Sequence, residues 1–259
     1  MGWEEAGVAW SDRAVDWAYL MEPVFAPIYE TLARSLALQP TESMLDIGCG
    51  GGGGLRAYEA SGCQVAGIDA AEALLGIAQV RVPQADLRHG SLTDLPWPDE
   101  SFDAVTGVNS FVYADDGGLS EAFRVLKPGG KLGIGFWVDP MDFGFCMAAL
   151  GKALGPYVGP ASTNIPLAMS EPGRARELLA AAGFEVLTSG TAHCASEFAD
   201  SAMAYRALAS TGMIYPIVQA DAEADLRAEV MADLDSRYSV ATGIRMNASI
   251  GWLIAQRSA

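Results

Sequence analysis

The chain has 259 residues, enough for one large domain or two small ones, and 51% hydrophobic against 19% charged residues provides for a substantial core and excludes a disordered chain. Its 32 acidic and 16 basic residues give a formal charge of −16 without a Lys/Arg cluster, a surface that repels phosphate backbones and disfavours a nucleic-acid substrate. The cysteines (Cys49, Cys63, Cys146, Cys194) have no metal-ligand spacing and read as reduced thiols; with no leader after Met1 and no long uncharged apolar run, the expectation is a cytoplasmic protein without membrane insertion.

Residues 1–40 read as helical and aromatic, with Trp3, Trp10, Trp17 and Tyr19. Pro23 and Pro27 separate a short first helix from a second one, in which Ile28, Leu32 and Leu36 recur every four residues before Pro40. Simple packing accounts for the tryptophans. The next stretch, Met44-Leu45-Asp46-Ile47-Gly48-Cys49-Gly50-Gly51-Gly52-Gly53-Gly54-Leu55, predicts strand, tight turn, helix. Consecutive glycines there permit positive φ and let a ligand lie directly on the backbone. Gly48-x-Gly50-x-x-Gly53, with Asp69 lying 21 residues past Gly48, satisfies a dinucleotide fingerprint, so a nicotinamide-dependent oxidoreductase is one reading. Asp46, inside the strand, speaks for a cationic amine or sulfonium rather than a pyrophosphate.

A second strand is predicted over Gln64–Asp69. Its terminal carboxylate suits both ribose hydroxyls of a nucleoside, or the N-cap of a helix from Ala70 to Ala78. A third strand, from Ala85, runs through His89, read as structural or exposed, into the loop Gly90-Ser91-Leu92. The fourth, Phe102–Asn109, ends in Asn109, Ser110, Phe111, Val112 and Tyr113, which should border the ligand because α/β sites lie beyond the carboxyl ends of strands. A helix starting at Asp115 and Asp116 turns Leu119, Phe123 and Leu126 to the sheet and stops at Lys127-Pro128-Gly129-Gly130; Leu132–Val138 is the fifth strand. Residues 139–165, with Met141, Phe143, Phe145, Met147 and Tyr157, suggest an inserted apolar cap. Ser170-Glu171-Pro172-Gly173 starts a helix, a strand follows over Phe184–Thr188, a helix near 221–235 aligns Leu226, Val230 and Leu234, and a last strand lies around 250–255. Strands alternating with helices at this spacing mean an α/β fold with a doubly wound parallel sheet.

Asp46-Ile47-Gly48-Cys49-Gly50, Gly67-Ile68-Asp69, Leu95-Pro96-Trp97-Pro98-Asp99-Glu100-Ser101-Phe102-Asp103-Ala104-Val105 and Glu121-Ala122-Phe123-Arg124-Val125-Leu126-Lys127-Pro128-Gly129-Gly130 follow one another in order. Together they resemble the class I S-adenosylmethionine-dependent methyltransferases, in particular those of ubiquinone/menaquinone biosynthesis and of natural-product small molecules, over roughly residues 40 to 140. The resemblance implies a mostly parallel seven-stranded sheet with an antiparallel final strand, residues 1–40 as a helical lid, and 41–259 as the methyltransferase domain, with cap insertions at about 139–170 and 195–240. It implies S-adenosylmethionine as cofactor, S-adenosylhomocysteine as product, and cofactor contacts from Asp46, Gly48, Cys49, Gly50, Asp69, Ala70, Ser91, Leu92 and Asn109, with Tyr19 reaching over from the lid. Ser91 departs from the acidic residue common at that place; Asp94 is the nearest substitute.

Methyl transfer from a sulfonium needs alignment first and a general base only for a protonated nucleophile. Tyr113, where related enzymes often carry a histidine, and His193, after the strand from Phe184, are the candidates for acid–base work, with pocket lining an equal role for Tyr113. The Met- and Phe-rich cap suits a small, largely apolar acceptor: a flat aromatic, polyketide, terpenoid or quinone-like molecule. No Asn/Asp-Pro-Pro-aromatic tetrapeptide follows the fourth strand, which disfavours DNA-adenine and similar N-methylation. Oxygen or carbon as acceptor, a homo-oligomer, and a module that binds the cofactor without transferring methyl all stay open.

Overall fold

A computed structural model describes residues 2–111, 115–138, 169 and 173–258. The expected cap at 139–170, apart from Met169, lies outside the described residues, as do Tyr113 and Ser170-Glu171-Pro172.

The sheet grows outward from β1 (Ser43–Ile47). To one side lie β2 (Gln64–Asp69) and β3 (Asp86–His89), to the other β4 (Phe102–Val108) and β5 (Leu126–Trp137), all parallel. Beyond β5 come β8 (Gly243–Arg257), antiparallel to it, and then β6 (Phe184–Phe198), giving the order β3-β2-β1-β4-β5-β8-β6; a two-residue strand, β7 (Ser239–Val240), pairs with β8. The expected seven strands and the antiparallel last strand are present, with β7 as an added short hairpin arm. Strand order reverses at β1, whose neighbours β2 and β4 leave it in opposite directions, so the crevice beyond the carboxyl ends of these strands is where such a sheet takes ligands.

Side-chain alternation along β1 divides the core. Leu45 and Ile47 point to the layer that holds Val105, Leu119, Val125 and Leu179, whereas Met44 joins Ile28, Leu32, Leu55 and Tyr58 on the other face. Asp46 shares the Met44 face and is therefore aimed into protein, beneath the glycine turn. On that face pack α3 (Ala26–Leu36), α4 (Gly53–Glu59) and α5 (Glu72–Arg81); α6 (Asp115–Val125) and α7 (Arg174–Ala181) serve the opposite layer. The four-residue stripe read in the sequence is the buried face of α3: Ile28, Leu32 and Leu36 are all fully covered, each worth about 1.5–3 kcal/mol of burial.

The amino-terminal segment, α1 (Trp3–Ser11) and α2 (Ala14–Asp16), a π-turn at Trp17–Met21 and a 3-10 turn at Glu22–Phe25, lies across the β2 and β1 ends and is tied to the carboxyl-terminal helices. These are α8 (Ser201–Ala209), α9 (Tyr215–Gln219) and α10 (Glu223–Arg237). Arg13 grips Glu223 through both nitrogens at 2.7 and 2.6 Å, Tyr205 donates to the same carboxylate at 3.0 Å, and Arg206 pairs with Asp16. Planar two-point pairing of this kind fixes orientation as well as distance.

Three strands run longer than the sequence predicts. The fifth starts at Leu126 because the Lys127-Pro128-Gly129-Gly130 stop continues into the sheet, with Gly129 at φ 77. The sixth extends through Phe198 and the eighth begins at Gly243, since the two pair along almost their whole length.

Candidate functional site

Gly48, Gly50 and Gly52 all have positive φ, of 73, 54 and 83. A Cβ on Gly48 would stand 2.5 Å from the Ser110 Cβ, so this turn closes against the end of β4 only as glycine. The turn is stitched to β2 by Gly48 and Cys49, whose N–H groups donate to the Ile68 carbonyl at 2.8 and 3.1 Å. The Cys49 side chain points inward against Gly67, and burial pushes its thiol well up, so it packs and offers the ligand only its backbone.

Asp69 stands at the end of β2, two residues before Ala71, the N-cap of α5. One oxygen accepts from the Gly50 N–H at 2.8 Å and the other from Ala71 N–H at 2.8 Å, at the start of α5. Burial pushes its carboxyl upward while these N–H groups pull it down. Two-point acceptance fixes the turn relative to the strand end and leaves lone pairs on both oxygens for further donors. Asp46 is buried, with its carboxyl pushed up to about 7, first by burial and then by the Glu22 and Asp69 charges, against the pull of a 2.8 Å hydrogen bond from Thr106 Oγ1. Its second oxygen stands 2.8 Å from where a Cβ of Gly54 would be.

The crevice is completed by Asn109, left-handed at φ 57 with its N–H on the Gly135 carbonyl at 2.8 Å, and by buried Ser110. Asn109 Oδ1 and Ser110 Oγ are buried without a hydrogen-bond partner among the described residues. Buried polar atoms in that condition are uncommon in folded proteins and mark a place where a ligand or water supplies the missing partner. Ser91 accepts from Thr93 N–H and pairs with the Thr93 hydroxyl at 2.9 Å, closing a local turn beside half-buried Leu92, while Asp94 is exposed. A glycine cradle, an acid at the end of β2 and two orphaned oxygens at the end of β4 fit an adenosyl amino acid: a nucleoside hydroxyl pair for Asp69, hydrogen-bond donors for Asn109 and Ser110.

The amino-terminal segment, expected as a lid, packs beside this crevice at the end of β2. Gly7 of α1 lies directly on the Ala70 carbonyl, which also meets His89 Nε2 at 2.9 Å, and Trp3 stacks edge-on against His89 with ring centres 5.4 Å apart. His89 is thus a surface prop for the lid. Tyr19 is exposed and its ring lies over the Arg81 guanidinium at 4.8 Å, touching the turn through Arg81 rather than directly. His193 is exposed within β6, opposite Ser249, three strands from β4, and is not brought to the glycine turn. Its strand was expected to end at Thr188; continued pairing with β8 carries it along the sheet edge.

Glu22, Arg81 and Thr106 are not legible as site residues from the sequence. Glu22 is buried, accepts from the Gly51 N–H at 2.8 Å and pairs with Arg81; Arg81 also donates to the Gly51 carbonyl at 2.8 Å and the Ala18 carbonyl at 2.6 Å. An acid ahead of Pro23 in an aromatic segment carries no local signal of such a contact.

The family described as "Methyltransferase domain" matches residues 45–134, from β1 to β5. Demethylmenaquinone methyltransferase of Clavibacter sepedonicus is 38% identical over 105 residues, 38% of this chain and 42% of that protein. The 27-O-demethylrifamycin SV methyltransferase of Amycolatopsis mediterranei is 32% identical over 135 residues, 49% of this chain and 48% of that protein. The chain thus spans under half the length of either curated relative. Among solved structures, the [4+2]-cyclase SpnF superposes with a TM-score of 0.58 at 22% identity, over 90% of this chain and 82% of that one, a likeness of fold. With the ordered strands, the glycine turn and Asp69 in place, residues 45–134 of this chain are a methyltransferase domain of the class I S-adenosylmethionine-dependent kind.

Proposed function

We propose that this protein transfers a methyl group from S-adenosylmethionine to an oxygen or carbon of a small, largely apolar molecule. The observation that carries this reading is Asp69 bonded to the Gly50 N–H across the glycine turn, with the unpartnered Asn109 and Ser110 oxygens at the end of β4, on the other side of β1. The cofactor supplies an activated methyl on a sulfonium. Gly48 and Gly50 give it backbone to lie on, Asp69 accepts from its ribose, and Asp46 contributes negative charge from below the turn. Asn109 and Ser110 hold polar atoms at the end of β4, and the lid excludes water so that an acceptor is aligned rather than chemically activated. Tyr113, five residues past Val108, the last residue of β4, is proposed for positioning or deprotonating an acceptor hydroxyl, and His193, exposed on the β6 edge strand, is not.

For the acceptor, an aromatic cluster near the carboxyl end of β5 supports an apolar molecule: Trp17 packs against the buried Phe25 at 6.0 Å between ring centres, and Phe25 meets Trp137 at 5.7 Å. The two relatives named above act on a quinone precursor and a rifamycin, by their names. Methyl-labelled S-adenosylmethionine incubated with a panel of aromatics, polyketides, terpenoids and quinones tests this: label in an acceptor supports the assignment. Tight cofactor binding with no label in any acceptor favours a second reading, an enzyme or module that keeps the cofactor without transferring methyl, which the shared fold of a [4+2]-cyclase brings into consideration. Among the described residues no helix is long and apolar enough to cross a membrane.

A further inference from the structure

Three carboxylates gather around the glycine turn, Glu22 from the 3-10 turn, Asp46 from β1 and Asp69 from β2, and they differ in what holds them. Glu22 pairs with Arg81 and accepts from the Gly51 N–H at 2.8 Å. Asp69 accepts from the Gly50 and Ala71 N–H groups, both at 2.8 Å. Asp46, 3% exposed, accepts one hydrogen bond among the described residues, from the neutral Thr106 hydroxyl. Its other oxygen lies beneath Gly54, whose Cβ position is 2.8 Å from Asp46 Oδ2, 3.2 Å from the Tyr58 ring and 3.3 Å from the Tyr29 ring. The Tyr58 hydroxyl is fully buried there and has no hydrogen-bond partner among the described residues. Burial pushes the ionisation of Tyr29, Tyr58 and Cys49 well up, so these neighbours stay neutral. The charged groups around Asp46 are then Glu22, Asp69 and Arg81, and Arg81 is already engaged by Glu22.

Of the three, Asp46 is the one that neither a cation nor a backbone N–H holds as an anion. Burial, together with the Glu22 and Asp69 charges, pushes its carboxyl up to about 7. A buried carboxyl in this position keeps or loses its proton according to the charge placed beside it. S-adenosylmethionine and S-adenosylhomocysteine differ by one methyl group and the positive charge it puts on sulfur. We propose that Asp46 reads that charge: protonated in the free protein, it ionises when the sulfonium binds over the turn, giving its proton to solvent, and it keeps the proton beside the neutral thioether. The Tyr58 hydroxyl is the donor in reserve for the carboxylate so formed. This rests on the cofactor proposed above, and it adds a preference for the methylated cofactor over its product that weakens as pH falls.

Calorimetry of the full chain with each ligand, in buffers of different ionisation enthalpy at pH 6 and pH 7, counts the protons exchanged and gives both dissociation constants. The values are compared with those of Asp46→Asn, which retains the titration of the ligands themselves and lacks that of this carboxyl. Relative to that variant, S-adenosylmethionine should release roughly half a proton at pH 7, because a carboxyl with a pKa of about 7 is half protonated there. It should also bind about fivefold more tightly at pH 7 than at pH 6, whereas S-adenosylhomocysteine changes by less than about twofold. Tyr58→Phe keeps the ring and removes only an unpartnered hydroxyl, which guards against a variant that fails to fold; it should move the rise in S-adenosylmethionine affinity to higher pH. Equal proton release by the two ligands, release unaltered in Asp46→Asn, or an unshifted pH profile in Tyr58→Phe would each overturn the inference. Failure of the unsubstituted protein to bind either ligand would instead refute the cofactor reading itself.

Discussion

Asp69→Asn is the perturbation whose consequences follow most directly from the geometry. The carboxylate accepts from the Gly50 and Ala71 N–H groups, both at 2.8 Å. An amide in its place keeps one acceptor oxygen and turns an NH2 donor toward the other N–H, so one charge-assisted hydrogen bond is lost and one N–H is left facing a donor. Hydrogen bonds to charged groups contribute about 1.5–3 kcal/mol, and an orphaned buried donor costs a similar amount. For a chain of this size about 2 kcal/mol corresponds to a Tm lower by roughly 4–8 °C. The same carboxylate is proposed to accept from the ribose, so affinity for S-adenosylmethionine should fall at least about tenfold, a loss of about 1.4 kcal/mol. Scanning calorimetry and isothermal titration of the same preparation measure both. An unchanged Tm together with an unchanged Kd would refute the role given to Asp69. A lower Tm at unchanged affinity would leave it a turn-former and remove it from the ribose.

Other consequences concern the lid, the core and pH. Gly7→Ala should raise helix propensity locally yet loosen the lid, because the new Cβ would lie 2.0 Å from the Ala70 carbonyl oxygen; faster tryptic cleavage at Arg13 is the expected outcome, and an unchanged rate would show that α1 shifts without cost. Leu32→Ala, at a fully buried position of α3, should cost about 2–5 kcal/mol in urea unfolding, and a loss under 1 kcal/mol would mean the stripe is not packed as described. Asp46, with its carboxyl raised from 3.8 to about 7, binds more protons folded than unfolded between those values, so stability is lost as pH rises from about 4 through about 7. Asp46→Asn carries no such loss; its stability relative to the unsubstituted protein should improve by a few kcal/mol from pH 5 to pH 8, whereas a pH-independent difference would contradict the burial argument.

The central sheet and the turn were legible because their signals are local. Glycines at 48, 50 and 52 are required by positive φ, and the Ile28, Leu32, Leu36 stripe is a helical period that only burial explains. Asp69 was legible as a strand-end acid from its distance to Gly48, whereas its two backbone partners, the Gly50 and Ala71 N–H groups, were not. What escaped the sequence depends on contacts between distant segments. Glu22 and Arg81 are 59 residues apart and meet only because the lid folds back over α5. The course of β6 past Thr188 was hidden for another reason: from Thr188 to Thr191 its residues are exposed, so no buried alternation announces a strand, and its continuation is fixed by the backbone of β8. That is why His193 read as a residue after a strand and lies instead along the sheet edge.

Parallel calorimetric titration of the purified chain with S-adenosylmethionine, S-adenosylhomocysteine and NADH tests the central claim most directly. The geometry of the turn, with Asp46 beneath it and Asp69 bonded across it, predicts binding of both sulfur nucleosides in the micromolar range and none of NADH. Binding of NADH alone would contradict the account, because the glycine turn would then hold a pyrophosphate rather than an amino acid.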